Sequence, residues 1–494
     1  MDHYGFLSII PPLAAILLAI KTRQVYLSLL IGIWSGWIIL DGGNLFTGSI
    51  SAIESLVNVF ADPGNTRTIL FSCLIGGLLA LIQRSGGVEG FVKRINNRLS
   101  SLNTHSKSNN RIIQLFSFFT GAIIFVETNI SVLTTGSIFR PVFDKYKIAR
   151  EKLAYIIDST SAPVCILIPF NAWGAYIIGL LALNGIEDPF TTLFQSYIFN
   201  LYPILTIALL LFLIISGKDF GPMRKAMIRA EKEGKILRDG ARPLVSSDIT
   251  SLHKKEGINA KSFNMLTPII LMVLMMPIVL IISGWNSSEY ITSLSFNEKI
   301  LEAIRNGSGS QAVLLSVIAA IFVSVVLYKS QRILSIKEMT DLILKGMGGL
   351  VPLALLMLLA FAIGSLCKEL GTGLYVSQLV GDLLTPKLVP AIIFIISGFI
   401  AFSTGTSWGT FAIMLSIGIP IANSMGIDQN IIIGAVLGGG VFGDHCSPIS
   451  DTTIVSSMAA ACDHIDHVKT QLPYALTTGL ISVLIYIIIG YIFL

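Results

Sequence analysis

The sequence predicts an all-α polytopic membrane protein, with about ten transmembrane helices plus two re-entrant helical hairpins in two inverted-topology repeats. Hydrophobic residues make up 53% of the chain and charged residues 13%, and mean hydropathy is +0.77. A water-soluble protein of this size would lack a polar surface. Basic residues lie in the loops between apolar stretches, where they set topology and do not form a nucleic-acid-binding face.

The apolar spans follow one another along most of the chain. They cover residues 6–20, 25–40, 68–83, 153–183, 197–216, 263–284, 311–328, 346–366, 431–461 and 471–494. The first span lacks the basic region and cleavage site of a secretory signal, so we expect it to remain as a membrane helix. Residues 1–216 are predicted to form a first membrane repeat, 217–262 a cytoplasmic basic loop, and 263–494 a second, inverted membrane repeat. We expect the loop to be a solvated connector.

Two further stretches, 111–140 and 389–423, look too short for two full crossings, and polar residues interrupt each midway. The interruptions are Glu127-Thr128-Asn129 and Ser403-Thr404-Gly405-Thr406-Ser407. Both flanks of the first stretch are basic, and positive charge favours the cytoplasm, so this segment is predicted to enter and leave on the cytoplasmic side. The same reasoning gives the second half the same elements in the opposite orientation.

A short match between the halves supports the inverted repeat. Residues 161–163 (Ser-Ala-Pro) parallel residues 446–448 (Cys-Ser-Pro). We therefore expect the two serines to lie at matching depths. Because inverted repeats bring their broken helices together, we also expect Asp158 to contribute to the same cavity as Asp444.

Four places interrupt predicted helices at membrane depth: residues 127–131, 158–169, 403–407 and 443–453. An unsatisfied backbone group in hydrocarbon is costly, so a break persists only where protein or a water-filled cavity satisfies it. Carbonyls, carboxylates, hydroxyls and amides at such breaks supply the oxygen ligands that a cation needs. The candidate cation or substrate ligands are Asp444, Asp451, Asp158, Glu127, Asn129, Thr404, Thr406, Ser407, Ser447 and Ser450, with Asp444 and Asp451 as the candidate Na+ ligands.

The intramembrane carboxylates carry most of this hypothesis. An acidic residue at the centre of a membrane helix costs roughly 2.5–3.5 kcal/mol on insertion scales, so these residues require an explanation. The alternative to an ion site is that each carboxylate caps the positive end of a broken helix. Asp444 and Asp451 favour the ion site most, because they share one motif with a histidine, two serines and two threonines.

Other chemistries are less well supported by the sequence. Residues 462–467 (Cys-Asp-His-Ile-Asp-His) suggest a metal site but lack a second paired cluster, so polar groups at the membrane interface are the simpler interpretation. No His-Glu-x-x-His occurs, and Val441 replaces the first glycine of the Gly-x-Gly-Asp pattern of intramembrane aspartyl proteases. We therefore expect no enzyme activity and no cofactor. The absence of a Walker motif indicates transport driven by an ion gradient, with an ATP-binding partner left open.

Three strings near the C-terminus resemble a known family. They are residues 443–453 (Gly-Asp-His-Cys-Ser-Pro-Ile-Ser-Asp-Thr-Thr), 462–468 and 472–474 (Leu-Pro-Tyr). Together with the hairpin tip at 402–409, they resemble the NhaC family of Na+/H+ antiporters. The resemblance implies paired hairpin tips meeting two unwound helices near mid-membrane, an elevator-like motion against a scaffold, and often a homodimer.

These observations lead to two transport hypotheses. In the first, a secondary active transporter binds either Na+ or H+ near Asp444 and Asp451, with help from the hairpin oxygens and the region of Asp158, and exchanges the two ions by alternating access. In the second, Na+ or H+ drives the movement of a small organic acid or amino acid. A channel or receptor is disfavoured because inverted repeats with broken helices suit alternating access. We expect a multi-pass protein of the bacterial inner membrane whose partners are lipid and small ions, not nucleic acid.

Overall fold

A computed structural model of the protein describes residues 4–22, 24–99, 107–125, 128–169, 171–243, 257–285, 296–372, 375 and 385–494. In these ranges the chain is mainly α-helical. The helices are α1 (Ile10–Thr22), α2 (Val25–Leu40), α3 (Leu45–Asn58), α4 (Pro63–Arg84), α5 (Gly87–Leu99), α6 (Lys107–Ile123), α7 (Thr128–Lys145), α8 (Arg150–Cys165), α9 (Ala172–Leu183), α10 (Pro189–Ser196), α11 (Leu201–Ser216), α12 (Gly221–Glu233), α13 (Phe263–Gly284), α14 (Phe296–Arg305), α15 (Gly309–Ser330), α16 (Ile336–Gly349), α17 (Val351–Glu369), α18 (Val389–Thr404), α19 (Ser407–Met425), α20 (Gln429–Cys446), α21 (Asp451–Ala459) and α22 (His464–Phe493). Short 3-10 turns occupy Gly5–Ile9, Val59–Ala61, Tyr197–Phe199 and Pro386–Leu388.

The predicted all-α membrane architecture is confirmed. Within the described ranges, eight helices are long and apolar enough to cross a membrane, or nine if α20 and α21, which are bent by 48° at their break, form one span. This is fewer than the ten spans expected. The shortfall arises because α1 and α2 are short and because the predicted span 153–183 is divided into α8 and α9.

Each of the two predicted hairpins contains two helices, α6 and α7 in the first and α18 and α19 in the second. The stretch that forms α18 and α19 is longer than the sequence analysis allowed. With the preceding 3-10 turn, its arms are Pro386–Thr404 and Ser407–Met425, each 19 residues and long enough to cross a membrane. The hairpins' re-entrant course therefore stays a prediction, as does the inverted repeat.

Glycines bring the second hairpin against the broken helix that follows it. A Cβ at Gly443 of α20 would overlap the carbonyl oxygen of Gly398 on α18, and a Cβ at Gly439 would overlap that of Phe394. The two helices therefore cross with their backbones in contact, the packing that small residues four positions apart permit in membranes. This crossing fixes the hairpin tip beside the break between α20 and α21.

The described part of the basic loop is packed against the helices, so its interpretation as a solvated connector is wrong for residues 217–243. Helix α12 buries Met223, Ala226 and Ala230. The buried Lys152 ammonium of α8 lies 2.7 Å from Asp219, and the buried Glu151 lies 2.8 Å from Arg229. Burial of these charges is tolerated because each has a partner.

The same loop reaches the start of α22. Arg238 contacts Asp466 at 3.0 Å, and the backbone N–H of Arg242 donates to Asp463 at 2.8 Å. Burial alone would raise the pKa of Asp463, but backbone N–H groups of Arg242, Asp466 and Ile465 more than offset this and hold it below its ordinary value. The loop therefore joins the first turns of α8 and α22.

Candidate functional site

A cavity of about 390 Å³ lies where the second hairpin tip, both helix breaks and the start of α7 converge. Its wall is formed by Gln24, Tyr26, Thr128, Ala172, Trp173, Gly349, Leu350, Pro352, Leu353, Leu356, Thr404, Gly405, Thr406, Trp408, Asp444, Ile449, Asp451 and Thr452. At about 30 Å³ per water molecule, this space holds on the order of ten waters. The structure thus brings Asp444, Asp451, Thr404 and Thr406 of the predicted site to one cavity.

Asp444 lies where the ends of three helices, α19, α20 and α21, meet. It lies two residues before the end of α20 and is 2% exposed. Ser407, the first residue of α19, donates to its Oδ2 at 3.1 Å, and Ser450, the N-cap of α21, donates to its Oδ1 at 2.7 Å. A carboxylate near a helix C-terminus cannot serve as a cap for that helix, since the dipole there is negative. The capping alternative therefore fails for the α20 end at Asp444, and two hydroxyls hold its carboxylate at the cavity wall.

Asp451 is on the other side of the same break. It is the first residue of α21, its side chain is exposed, and its Oδ1 accepts a hydrogen bond from the backbone N–H of Thr452 at 2.8 Å. The positive end of α21 favours a negative charge at this position. The capping alternative thus fits Asp451, but capping leaves the carboxylate facing the cavity.

The hairpin tip supplies backbone and hydroxyl oxygens. Gly405 adopts φ +70° in the turn between α18 and α19, and a Cβ there would lie 2.7 Å from the carbonyl oxygen of Ile449. The hydroxyls of Thr404 and Thr410 donate to the Thr406 carbonyl oxygen at 3.3 and 3.1 Å. A left-handed glycine conformation therefore lets the tip touch the broken segment of α20–α21.

Ser447 fastens the break to the hairpin. Its hydroxyl donates to the carbonyl oxygen of Phe402 at 2.7 Å and accepts from the N–H of Ile449 at 3.3 Å. Ser161, predicted to correspond to Ser447, lies inside α8 and donates to the carbonyl oxygen of Asp158 at 2.8 Å. Because α8 continues through Cys165, Ser161 lies within a helix whereas Ser447 lies at a break. Their matching depth stays a prediction.

Asp158 does not contribute to the cavity as predicted, since the described lining residues do not include it. It lies in the middle of α8 with 0% exposure. Its Oδ2 accepts from Gln471 at 2.7 Å and from Thr453 at 3.3 Å, and His467 Nε2 lies 3.4 Å away. Sequence alone did not indicate that this face of α8 turns toward α22.

The first hairpin is only partly described. Glu127 lies outside the described residues, and Asn129 is the second residue of α7, where only its backbone is described. Their neighbour Thr128 lines the cavity, and its hydroxyl accepts from the indole N–H of Trp173 at 3.1 Å. Thr128 was part of the quoted interruption but was not chosen as a ligand.

Three aromatic residues of the cavity wall were also missed. The rings of Trp173 and Trp408 lie 5.0 Å apart, and Tyr26 also lines the cavity. Trp408 directly follows the quoted hairpin interruption, so the motif could have indicated it. Tyr26 is the second residue of α2, and no pattern around it marks a site.

The residues of the candidate metal string 462–467 have separate partners. His464 contacts Ser457 at 3.0 Å and the Pro448 carbonyl oxygen at 2.7 Å, whereas His467 contacts Asp158. In the part of the chain that the structure describes, no group of three or more His, Cys, Asp or Glu residues could hold a metal ion. Polar helix-end residues are the interpretation that fits this geometry.

Comparison with known proteins supports a membrane transporter. The sequence model of the Na+/H+ antiporter family matches residues 164–491. An uncharacterised protein of Haemophilus influenzae is 32% identical over 98% of this chain and 91% of that protein. The malate-2H+/Na+-lactate antiporter of Bacillus subtilis is 30% identical over 23% of this chain and 24% of that protein. The match to the Bacillus subtilis antiporter is therefore local, whereas the match to the Haemophilus influenzae protein extends over nearly the whole chain.

A solved structure shares the fold. The YdaH transporter of Alcanivorax borkumensis, described as having an unusual topology, superposes with a TM-score of 0.56 over 90% of this chain and 88% of that chain. Sequence identity is 12%, so the likeness concerns the fold alone.

Proposed function

Because the chain belongs to the Na+/H+ antiporter family, as its resemblance to NhaC proteins predicted, we propose that it exchanges Na+ for H+ across the bacterial inner membrane by alternating access. One observation carries the proposal: Asp444 and Asp451 flank a single helix break and line a single cavity. Transported Na+ and H+ are the only ions this scheme requires, and it needs no cofactor.

Electrostatics explains how two carboxylates in one cavity support exchange. Desolvation and mutual repulsion both disfavour a pair of uncompensated carboxylates away from bulk water. A bound cation relieves both penalties, and Na+ finds further oxygens at Thr404 and Thr406 of the hairpin tip. We therefore expect the protein to change between its two conformations readily only when a cation is bound to the ionised carboxylates.

We also propose that this conformation faces the cytoplasm. The cavity wall includes Gln24, which directly follows the basic segment at residues 21–23, and Pro352, at the start of α17. The positive-inside rule assigns both chain segments to the cytoplasmic side.

A homodimer remains our proposal for the assembly, testable by light scattering of the detergent-solubilised protein.

A second candidate is transport of a small organic solute coupled to Na+ or H+. The cavity volume of about 390 Å³ is far larger than an unhydrated ion and falls within the range of small-molecule pockets. The described wall contains two carboxylates and three aromatic rings but no Lys or Arg. A solute bearing an ammonium group suits this wall better than a simple carboxylate does.

Purified protein in liposomes separates the two candidates. An imposed Na+ gradient should drive proton flux without any organic solute, and flux that requires an added acid or amine would exclude the first candidate. Asp444→Asn and Asp451→Asn keep side-chain volume but remove the anionic ligand, so each should reduce Na+-driven proton flux at least tenfold. Asp341→Asn, at an exposed site on α16, is the matched control.

Stability measurements distinguish an ion ligand from a folding defect. Na+ should raise the melting temperature of the wild type, as any ligand of the folded state does, and should fail to raise that of either variant. Full exchange in Asp444→Asn or Asp451→Asn would remove that residue from the site. A variant that does not fold supports a capping role, which the geometry favours only for Asp451.

A further inference from the structure

A buried cluster beside the cavity has unsatisfied polar atoms. Three side-chain atoms in it have no hydrogen-bond partner among the described residues: Asp158 Oδ1, His467 Nδ1 and Gln471 Oε1. All three side chains are at most 1% exposed. Buried polar groups are normally paired, so three unpaired atoms in one cluster indicate a site for a small missing partner such as a proton or water.

The carboxylate of the cluster has no permanent positive partner. Asp158 has no Lys or Arg partner in the described ranges, and the nearby Lys152 is paired with Asp219. The imidazole nearest to it is that of His467, whose Nε2 lies 3.4 Å from Asp158 Oδ2. A proton bound at Asp158 would neutralise this buried charge and supply a donor to the unpaired atoms beside it.

The surrounding titratable groups do not supply a fixed positive charge. Those nearest are Tyr155 on α8, Tyr202 on α11, His445, Cys446 and Asp444 on α20, Asp451 on α21 and His464 on α22. The titratable residues of α6 and α7 lie toward the helix ends, at Lys107, Arg111, Arg140, Asp144 and Lys145. Those of the α12 region lie along its whole length, and the two nearest α8 are paired, Asp219 with Lys152 and Arg229 with Glu151. The protonation state of the cluster is thus set within the cluster and by the two cavity carboxylates.

Helix α21 links the cluster to the cavity. Ser450, its N-cap, donates to Asp444, while Thr453, one turn later, donates to Asp158. His445 directly follows Asp444, and its carbonyl oxygen accepts from Gln471 at 2.7 Å. A positive charge added beside Asp444 therefore acts on Asp158 across the first turn of α21, where protein groups rather than bulk water lie between them.

We propose that Asp158, held by His467 and Gln471, forms a second ion site, which binds the transported proton, while Na+ binds separately at Asp444 and Asp451. This inference rests on the proposed exchange of Na+ for H+ and replaces a single shared site with two coupled ones. Na+ binding in the cavity displaces the proton from the cluster to water. Loss of Na+ allows a proton from water to return, so charge balances in both directions.

The test measures Na+ binding and proton release separately. In weakly buffered detergent solution, Na+ should release protons from the wild type, and its apparent Kd should weaken several-fold per pH unit as the pH falls. Asp158→Asn should keep the Na+-induced rise in melting temperature, lose the pH dependence of the Kd, and release at least tenfold fewer protons. Asp341→Asn should behave as wild type. His467→Gln, which retains a side-chain N–H donor, provides a second variant if Asp158→Asn fails to fold.

Two results would overturn the proposal. Unchanged proton release in Asp158→Asn would show that the proton binds at the cavity carboxylates instead. Loss of Na+ binding in the folded variant would show that Asp158 belongs to the Na+ site. Failure of the exchange function itself is distinguishable. A wild type without Na+-driven flux removes the proposed function, whereas a proton titration without Na+, compared between wild type and Asp158→Asn, still reports whether the cluster holds an exchangeable proton.

Discussion

The two helix breaks are fastened to their hairpins in the same way but carry charge differently. At the first break, Cys165 and Asn171 donate to the carbonyl oxygen of Phe125, at 3.2 Å each. At the second, Ser447 donates to that of Phe402. In each case a side chain after or at a helix end satisfies a carbonyl at the end of a hairpin arm, which accounts for a break that persists at membrane depth.

The acidic residues distinguish the breaks. Asp444 and Asp451 directly flank the second break and reach the cavity, whereas Asp158 lies seven residues before the end of α8, among imidazoles. Similar backbone architecture thus places two carboxylates at a cavity at one break, where we propose that a cation binds, and one fully buried carboxylate near the other, where we propose that a proton binds. The two breaks therefore differ in how many residues separate the carboxylate from the break.

The largest expected effects come from glycines at the two breaks. Gly443→Ala places a methyl group against the backbone of Gly398, and Gly174→Ala places one against the backbone of Pro169. Each should lower the free energy of unfolding by about 3 kcal/mol or more, because the added methyl group meets backbone atoms that cannot give way. Gly443→Ala should also abolish Na+-induced stabilisation, because it separates the hairpin from Asp444, whereas Gly174→Ala should retain it. Thermal unfolding with and without Na+ measures both, and equal Na+ responses would contradict the comparison.

Removing one hydroxyl at each carboxylate should give an intermediate effect. Ser450→Ala deletes a donor to Asp444, and Thr453→Val deletes a donor to Asp158. A lost hydrogen bond to a charged group costs about 1.5–3 kcal/mol, less for the longer bond to Asp158. Na+ should offset this loss in Ser450→Ala, so its Na+-induced rise in melting temperature should exceed that of the wild type. An enhanced response in Thr453→Val instead would reverse the assignment of the two sites.

The smallest effect is expected at the loop. Arg238 is half exposed where it contacts Asp466 at the start of α22, so Arg238→Gln should lower the free energy of unfolding only slightly. The difference from wild type should disappear at high salt, which screens exposed charges. Chemical denaturation at low and high salt checks this. A loss that persists at high salt would show that the contact acts through packing.

Sequence analysis predicted the helices that consist of uninterrupted apolar runs. It did not predict which side of a helix faces the site. Spans 25–40 and 263–284 match α2 and α13 because polar residues bound continuous apolar runs. The face of α8 that carries Asp158 could not be predicted, since α8 is buried all round and has no polar side to orient it. Tyr26 reaches the cavity only through tertiary packing.

The prediction of a solvated loop failed at helix α12 for a different reason. Its apolar residues Met223, Ala226 and Ala230 follow the i, i+3, i+7 spacing of a packed helix face. The surrounding lysines and arginines hid this pattern when the segment was judged by charge alone. Arg229 is one of those cations, and it has a buried partner in Glu151.

The glycine crossing of α18 and α20 also limits how the protein can move. With the backbones of Gly398 and Gly443 touching and no side chain between them, the two helices have no layer along which to slide. We therefore expect the second hairpin and the broken helix to move as one rigid body that carries Asp444. Access to the cavity would then change at other parts of its wall, such as Tyr26, Leu350 and Pro352, where side chains rather than touching backbones form the boundary.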